Sequence, residues 1–311
     1  MKDKVVAVVG GAGFVGRNVV RELCKKGVRV NVGCRDTESA EFLRSMGDVG
    51  QVNLIKANVA NYDQMASLVE SADHVVSLVG ILHETKGNTF ETVQAKGPMI
   101  IGKIAREKNV QSLVHVSAIG ADVNSKSLYA SSKGLGETYI RREFDKTVIL
   151  RPSIIFGPDD NFFNRFANLA AFSPFLPLIG GGTTKFQPVY VQDVASAIMV
   201  ALEDSAKIGE DYELGGPSIY SFREILELLQ KHTLRKRGLV NIPFFLASLQ
   251  AKFLEVLPNP PLTRDQVELL KTDNIVSQDA LTLQDLGISP MSCEAVLPTY
   301  LDRFRPGRRY N

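Results

Sequence analysis

Two periods of apolar residues alternate along this chain. Val5 to Val9 is a continuous run of strand formers, and behind it Val15, Val19 and Leu23 recur every four residues, the stripe of a helix that Gly27 closes. The same exchange of periods then repeats. Arg29 to Cys34 and Val52 to Ala57 read as the second and third strands, and Asn61 as the N-cap of a helix carrying Met65, Leu68 and Val69. Val75 to Leu82 is nearly continuous in apolar residues, as expected of a central parallel strand covered on both faces. A long helix is predicted from Thr89 to Lys108, kinked or broken at Pro98, which lacks an N–H and collides with the preceding turn. Ser112 to Ser117 reads as a fifth strand, Ser127 to Glu143 as a helix, and Val148 to Arg151 as a sixth strand ended by Pro152. This βαβα succession predicts an α/β fold with a doubly wound parallel sheet and right-handed crossovers.

Beyond Pro152 the pattern gives way to loops rich in Phe, Pro and Gly, notably Phe172 to Pro177 and Gly180-Gly181-Gly182, where a second lobe begins. Gln187 to Val191, followed by Asp193-Val194-Ala195, predicts a strand and a capped helix that return to the sheet, and Tyr212-Glu213-Leu214 predicts another strand. From Ser221 the chain reads as mostly helical, punctuated by Pro243, Pro258, Pro260 and Pro261. The expected organisation is a first domain over 1–155, to which 186–216 returns, and a smaller, mostly helical C-terminal lobe over 156–185 and 217–311 for substrate or partner docking.

Candidate chemistry begins at the turn between the first strand and its helix. Glycines at 10, 13 and 16 let the backbone turn sharply, approach a pyrophosphate and pack the helix on its strand, while the helix N-terminus offers N–H groups to phosphate. This context makes 1–155 a Rossmann-type dinucleotide domain. The second strand ends Gly33-Cys34-Arg35-Asp36, with Cys34 where an acid would grip the ribose hydroxyls and Arg35 beside it. A guanidinium there holds a 2′-phosphate that a carboxylate would repel, so NADP(H) is favoured over NAD(H). Asp36, twenty residues after Gly16, is the competing reader of the ribose.

The totals narrow the field further. A formal net charge of +2 over 311 residues, with no interleaving of aromatic and basic residues, speaks against nucleic acid. Cys24, Cys34 and Cys293 are far apart and odd in number, which suggests neither a disulfide framework nor a metal clip, and the four histidines, at 74, 83, 115 and 232, lack ligand spacing. No metal is expected. With the first strand four residues after Met1 and no apolar run long enough to span a bilayer, the expected location is the cytoplasm.

Tyr129 and Lys133 stand four apart on the predicted helix, hence on one face, with Ser117 ending the strand before it. That trio suits hydride chemistry at a carbonyl. The lysine would lower the phenol's pKa and hold a nicotinamide ribose, the tyrosine would pass the proton, and the serine would orient the substrate oxygen.

The turn Gly10 to Gly16, Val114-His115-Val116-Ser117, Tyr129-Ala130-Ser131-Ser132-Lys133, and Arg151-Pro152 through Phe156-Gly157-Pro158 resemble, in their order, the extended and atypical branch of the short-chain dehydrogenase/reductase superfamily. A closer likeness lies in Leu78 to Glu84, in Ile155-Phe156-Gly157 with Asp160 and Phe163 to Ala167, in Gln187 to Val194, and in Leu262-Thr263-Arg264-Asp265. These stretches are similar to the nucleotide-binding accessory subunits of respiratory complex I and their bacterial relatives. The resemblance implies a protein that binds NADPH tightly, docks on a membrane complex as an accessory or assembly subunit, and need not turn over. The cofactor-binding set it implies is Gly10, Gly13, Phe14, Val15, Gly16, Arg35, Asn58, Val59, Leu78, Val79, Gly80, Ser117, Tyr129, Lys133, Pro152, Ile154 and Ile155. The sequence departs from the family where Asn58 replaces a more usual aspartate and where Ala118 takes the catalytic Ser/Thr position, leaving Ser117 as the hydroxyl. Two other readings stay open: an active NADP(H)-dependent oxidoreductase or sugar-nucleotide epimerase/dehydratase using Tyr129 and Lys133, and a redox-sensing regulator. No substrate is legible, and Asn164, Lys185 and Gln187 are open between substrate contact and structural roles.

Lys231 to Arg237 is rich in basic residues and precedes Pro243-Phe244-Phe245-Leu246 and a helix that places Phe245, Leu249, Phe253 and Val256 along one side. The ordinary expectation is that this side is lobe core and the charges a solvated face. The alternative, shared by the terminal Arg303, Arg305, Arg308 and Arg309, is docking on complex I subunits or on the cytoplasmic face of the inner membrane.

Overall fold

A computed structural model describes residues 1–307; Arg308 and Arg309 of the basic C-terminal run lie outside the described residues. In chain order the first elements are β1 (Val5–Val9), α1 (Phe14–Lys25), β2 (Arg29–Cys34), β3 (Val52–Lys56), α2 (Tyr62–Val69), β4 (His74–Ser77), α3 (Gly97–Glu107), β5 (Ser112–Val116), α4 (Leu128–Glu143) and β6 (Thr147–Pro152). There follow β7 (Ile155–Phe156), α5 (Phe163–Phe172), β8 (Phe175–Ile179), β9 (Lys185–Phe186), β10 (Val189–Tyr190), α6 (Val191–Glu203) and β11 (Asp211–Leu214). The last are β12 (Tyr220–Ser221), α7 (Phe222–Thr233), β13 (Gly238–Ile242), α8 (Phe244–Leu254), α9 (Arg264–Leu269) and α10 (Cys293–Leu301). Contacts divide the chain into two units: Met1–Pro152 with Gln192–Glu213 and Asp279–Ile288, and Ser153–Val191 with Leu214–Gln278 and Ser289–Asn311.

The first unit is built on a seven-stranded sheet in the order β11-β6-β5-β4-β1-β2-β3, parallel at every pairing from β6 to β3. The strand order reverses between β1 and β4, and the carboxyl ends of those two strands are where a doubly wound sheet opens a crevice for a ligand. Asn61 caps α2 by accepting the Gln64 N–H at 3.0 Å, and Ser127 caps α4 by accepting that of Ala130 at 3.2 Å. Two expectations need correction. The fourth strand stops at Ser77 rather than Leu82, because the Ile81 N–H leaves the sheet to donate to Gln94 Oε1 at 2.7 Å. The residues 89–108 are not one helix: Glu91–Lys96 form a π turn, the Gly97 N–H reaching back to Thr92 O, and Pro98 stands in the first turn of α3, where its missing N–H costs nothing.

The second unit combines α5 and α7 to α10 with three two-stranded pairings, β7 with β10, β9 with β12, and β8 with β13. The strand expected to return to the main sheet, β10, pairs instead with β7. Its core is aromatic: Phe162 packs edge-on to Phe163 and Phe166, and Phe222 against Phe166 and Phe186. Ser221 and Glu224 form a reciprocal capping box at the start of α7. The basic run after α7 is only partly free. Arg235 Nε donates to Phe304 O and Arg237 Nε to Ala170 O, each at 2.7 Å, while Lys236 is exposed. Arg303 and Arg305 are likewise bound within the unit, to Asn164 Oδ1 at 2.7 Å and to His232 O at 3.1 Å.

Candidate functional site

The turn after β1 has the form a pyrophosphate requires. Gly10 takes φ +84°, which its hydrogen side chain permits, and donates to Gly33 O at 3.1 Å, while Gly13 N–H closes the turn on Gly10 O at 3.1 Å. A Cβ on Gly16 would lie 2.5 Å from Gly10 O and from Gly11 Cα, so only glycine lets α1 start this close to the turn. Gly13 differs: it is exposed, and a Cβ there would meet only Gly10 O, at 3.3 Å. No side chain caps α1 at Gly13 and its first turn carries no acid. Backbone N–H groups and the positive end of the helix dipole therefore stand open to an anion, flanked by Phe14 and Val15.

At the end of β2, Arg35 is exposed and its Nη1 donates to Asn88 Oδ1 at 3.3 Å. Asn88 is held by a tight turn in which Thr85 and Asn88 exchange backbone hydrogen bonds at 3.0 and 2.9 Å. Asp36 faces its own loop. Its Oδ1 accepts the N–H groups of Glu38 and Ser39 at 3.1 and 3.4 Å, and hydrogen bonds led by the Ser39 hydroxyl hold its pKa below the usual carboxylate value. The carboxylate is thus committed locally, whereas the guanidinium keeps donors to spare. Asn58, exposed after β3, gives its Oδ1 to the Ala60 N–H at 3.1 Å, and the side chain of Val59 is buried in the core, leaving only its backbone to a ligand.

At the end of β4, the Leu78 N–H donates to Val9 O at 3.0 Å, which joins the Leu78-Val79-Gly80 segment to the glycine turn's strand. A Cβ on Gly80 would stand 3.3 Å from Lys133 Nζ, so this segment passes directly over the lysine. Lys133 is buried on α4 and donates to Val116 O at 3.2 Å; burial pushes its pKa down to about 8, against the opposing pull of Glu137. Glu137 in turn is gripped by Arg151 Nε at 3.0 and 3.1 Å and by its Nη2 at 2.7 Å. The next residue after Val116 is Ser117, whose backbone N–H donates to Leu150 O and whose buried Oγ has no partner among the described residues. A buried hydroxyl without a partner is costly unless a bound group completes it. Tyr129, half-buried, is set by an edge contact with the Phe90 ring at 6.1 Å. The structure therefore brings the Ser117 backbone, Lys133 and Gly80 together, with Tyr129 one helical turn before Lys133.

The sequence reading missed Gln94. It sits in the π turn, fully buried, and besides holding the Ile81 N–H it donates to Ser132 Oγ at 2.9 Å, Ser132 itself donating to Tyr129 O at 2.8 Å. One amide thus ties the Gly80 loop to the helix of Tyr129 and Lys133. Gly136 makes this possible, since a side chain there would run into Gln94 O. The only signal in the sequence was Pro98, which forbids a regular helix at that place. Below the site His115 Nδ1 shares a hydrogen bond with Ser77 Oγ at 3.1 Å, and burial, reinforced by Lys133, pushes its pKa down to about 3, so it is neutral.

The remaining expected residues are placed as follows. Pro152 closes β6, its carbonyl accepting the Ile119 N–H at 3.0 Å. Ile154 and Ile155 belong to the second unit, where the Ile154 carbonyl accepts the Val189 N–H at 2.9 Å. Asn164 and Gln187 serve that unit's own framework, Asn164 Nδ2 donating to Pro158 O and Asp160 O and Gln187 Nε2 to Gly216 O. Lys185 is exposed. Among the described residues no group of three or more His, Cys, Asp or Glu is arranged to hold a metal.

Residues 6–215 match the NAD dependent epimerase/dehydratase family. The chain is 35% identical over 315 residues to the Arabidopsis thaliana protein named NADH dehydrogenase (ubiquinone) 1 alpha subcomplex subunit 9, mitochondrial, a likeness covering 97% of this chain and 78% of that protein. It is 33% identical to the Mus musculus protein of the same name, over 98% of this chain and 81% of that one. Among solved structures, UDP-glucuronic acid 4-epimerase from Bacillus cereus, in complex with UDP-glucuronic acid and NAD, shares the fold with a TM-score of 0.74 at 18% identity, over 96% of this chain and 98% of that one.

Proposed function

This chain belongs to the NAD dependent epimerase/dehydratase family, and on that footing we propose that it holds NADP(H) and serves as an accessory or assembly subunit of respiratory complex I. The observation that carries this reading is the extent of the likeness. The family match ends at residue 215, whereas the likeness to the complex I subunits covers 97% of the chain and so takes in the second unit as well. The second unit docks the protein on complex I subunits, and the protein works peripherally on the cytoplasmic face of the inner membrane. Among the described residues no helix is long and apolar enough to cross a membrane.

In this reading the glycine turn and the α1 N-terminus take the pyrophosphate, Arg35 takes the 2′-phosphate, and Lys133 with Tyr129 takes the nicotinamide ribose. Ser117 Oγ gains the partner it otherwise lacks. Native electrophoresis of gently solubilised membranes, probed for this chain and for a core complex I subunit, tests the assignment. Co-migration is expected; a free soluble species overturns it. For the cofactor, Arg35→Ala is expected to weaken NADPH about tenfold or more while leaving NADH within about twofold, because only the 2′-phosphate engages the guanidinium. Fluorescence titration of the nicotinamide measures both. Equal losses would transfer the ribose to Asp36.

A second reading draws on one observation, the presence of a buried lysine that donates to Val116 O and, next in the chain, a buried serine whose hydroxyl has no partner among the described residues. Both are expensive to keep in a purely structural protein. As an oxidoreductase or epimerase, the protein would use Tyr129 as the proton donor or acceptor at the substrate oxygen, Lys133 to favour the phenolate, and Ser117 to orient that oxygen. The nicotinamide supplies or accepts the hydride when bound. Turnover of a carbonyl substrate with NADPH by the isolated protein would favour this reading.

A further inference from the structure

The second unit inverts the usual order of burial along α8. This helix, Phe-Phe-Leu-Ala-Ser-Leu-Gln-Ala-Lys-Phe-Leu, is apolar on nearly every side, and a helix of that kind is ordinarily enclosed. Here only its two alanines are buried. Ala247 and Ala251 face Ile179 and Val267, while Phe245 is 70% exposed, Leu249 53% and Phe253 71%, and the stripe runs on into Val256 at 85%. The expectation that this side would be lobe core is therefore corrected: the two alanines and the half-buried Phe244 pack inward, while the stripe of Phe245, Leu249 and Phe253 faces outward. The surface does not end with the helix. In the β8–β13 pairing Phe175 stands opposite Gly238, Pro177 opposite Val240, and Ile179 opposite Ile242, so by strand alternation Phe175 and Val240 share the face on which Ile179 and Ile242 meet α8. Phe175 and Val240 are exposed as well, and they extend the apolar surface from the helix onto the strand pair.

The charge pattern says what covers it. From Asn241 to Pro261 the sequence holds two ionisable residues, Lys252 and Glu255. Glu255 is spent on Arg264, accepting its backbone N–H at 2.7 Å and its Nε at 2.9 Å. Lys252 alone remains without an ion pair among the described residues, and no uncommitted carboxylate stands on the stripe. Large aliphatic and aromatic side chains, one free cation and no free anion match the boundary between acyl chains and anionic headgroups. A protein partner's polar rim would call for satisfied charges of both signs.

We propose that α8 and the adjoining edge of the β8–β13 pair form a lipid-interface anchor. Phe245, Leu249, Phe253 and Val256 enter the acyl boundary, and Lys252 meets a lipid phosphate. The proposal rests on the complex I reading for placing the protein beside a membrane, and on the surface itself for its chemistry. The full chain contains no tryptophan, so Leu249→Trp supplies a single emission reporter in the middle of the stripe. With vesicles of phosphatidylcholine containing phosphatidylglycerol, the full-length protein is expected to co-sediment and the reporter to shift to shorter wavelength. Phosphatidylcholine alone should bind it less. Phe245→Ser with Phe253→Ser is expected to reduce partitioning about tenfold or more, by removal of two buried rings, and Lys252→Glu to remove the preference for the anionic lipid. These residues are exposed, so the variants should keep the wild-type melting temperature.

An unshifted reporter with no co-sedimentation would overturn the proposal, as would vesicle binding indifferent to the double serine variant. A reporter already shifted without vesicles, with a doubled mass in solution, would assign the surface to a second copy of the chain. Native electrophoresis of the unsubstituted protein, set beside its own vesicle binding, separates the two readings. Co-migration with complex I despite absent vesicle binding sinks the anchor alone, and vesicle binding without co-migration sinks the complex I assignment alone.

Discussion

Substituting valine for Gly16 is expected to abolish binding of the nicotinamide dinucleotide, a loss of more than about 100-fold, and to lower stability by about 1–3 kcal/mol. The physical cause is backbone against backbone. The first atom of any side chain at this position would lie 2.5 Å from Gly10 O and from Gly11 Cα, and neither can rotate away as a side chain could. The turn and the start of α1 must separate, and with them the N–H groups that converge on a pyrophosphate. Gly13→Ala tests the same site without that confusion. Its Cβ meets only Gly10 O, at 3.3 Å, in an exposed position, so folding should be spared while the new methyl stands where the phosphate must approach. Thermal denaturation and calorimetric titration with NADPH read the two quantities separately. The expected pattern is loss of both for Gly16→Val and loss of binding with an unchanged melting temperature for Gly13→Ala. Unimpaired binding by Gly13→Ala would mean that no phosphate crosses that glycine.

The part of this fold that sequence discloses is the part fixed by local physics. A run of β-branched residues, a glycine turn and a four-residue apolar spacing locate β1, the turn and α1, because each depends on neighbours within a few residues. The cap at Asn61 is legible for the same reason. The end of β4 is not. Leu78, Val79 and Ile81 are as apolar as the strand before them, and what stops the strand is a hydrogen bond from Ile81 to Gln94, thirteen residues on. Gln94 itself is readable only as one more polar residue in a helix, since its function depends on a π turn that Pro98 signals without specifying. Likewise α8 shows an apolar side in its sequence, but which of its faces packs is decided by Ile179 and Val267, which lie outside the helix.

The candidate site divides in the same way. The identities of Tyr129, Lys133 and Ser117 are visible from spacing, while their state is not: Lys133 is pushed down to about 8 only because α4 buries it beneath Gly80. The choice between Arg35 and Asp36 could not be read from two adjacent letters. It leans on the turn at Glu38 and Ser39 that occupies the Asp36 carboxylate, and on Asn88, fifty-three positions on, which steadies the guanidinium.

Removing the carboxylate of Asp160 is expected to be the most destabilising single change in the second unit. Asp160, 2% exposed, accepts the Tyr300 hydroxyl at 2.6 Å and the N–H groups of Gly157, Phe162 and Asn164 at 3.1, 2.9 and 3.1 Å. Burial leaves its pKa above the usual carboxylate value, and the four donors offset that rise only in part, so the carboxylate is met by hydrogen bonds rather than by a buried cation. Through Tyr300 it ties α10 to the loop before α5, a join spanning 140 residues. Asp160→Ala leaves a buried hydroxyl and three N–H groups without their acceptor, each costing about 1–3 kcal/mol when it cannot reach water. Partial relaxation brings the expected loss to about 3–5 kcal/mol. Tyr300→Phe removes one donor and leaves the carboxylate three, so its cost should be about 1–2 kcal/mol. Urea unfolding followed by circular dichroism measures both. If Asp160→Ala falls within about 1 kcal/mol of wild type, α10 is held by the apolar cluster it shares with α7 alone, and the carboxylate has been kept for another purpose.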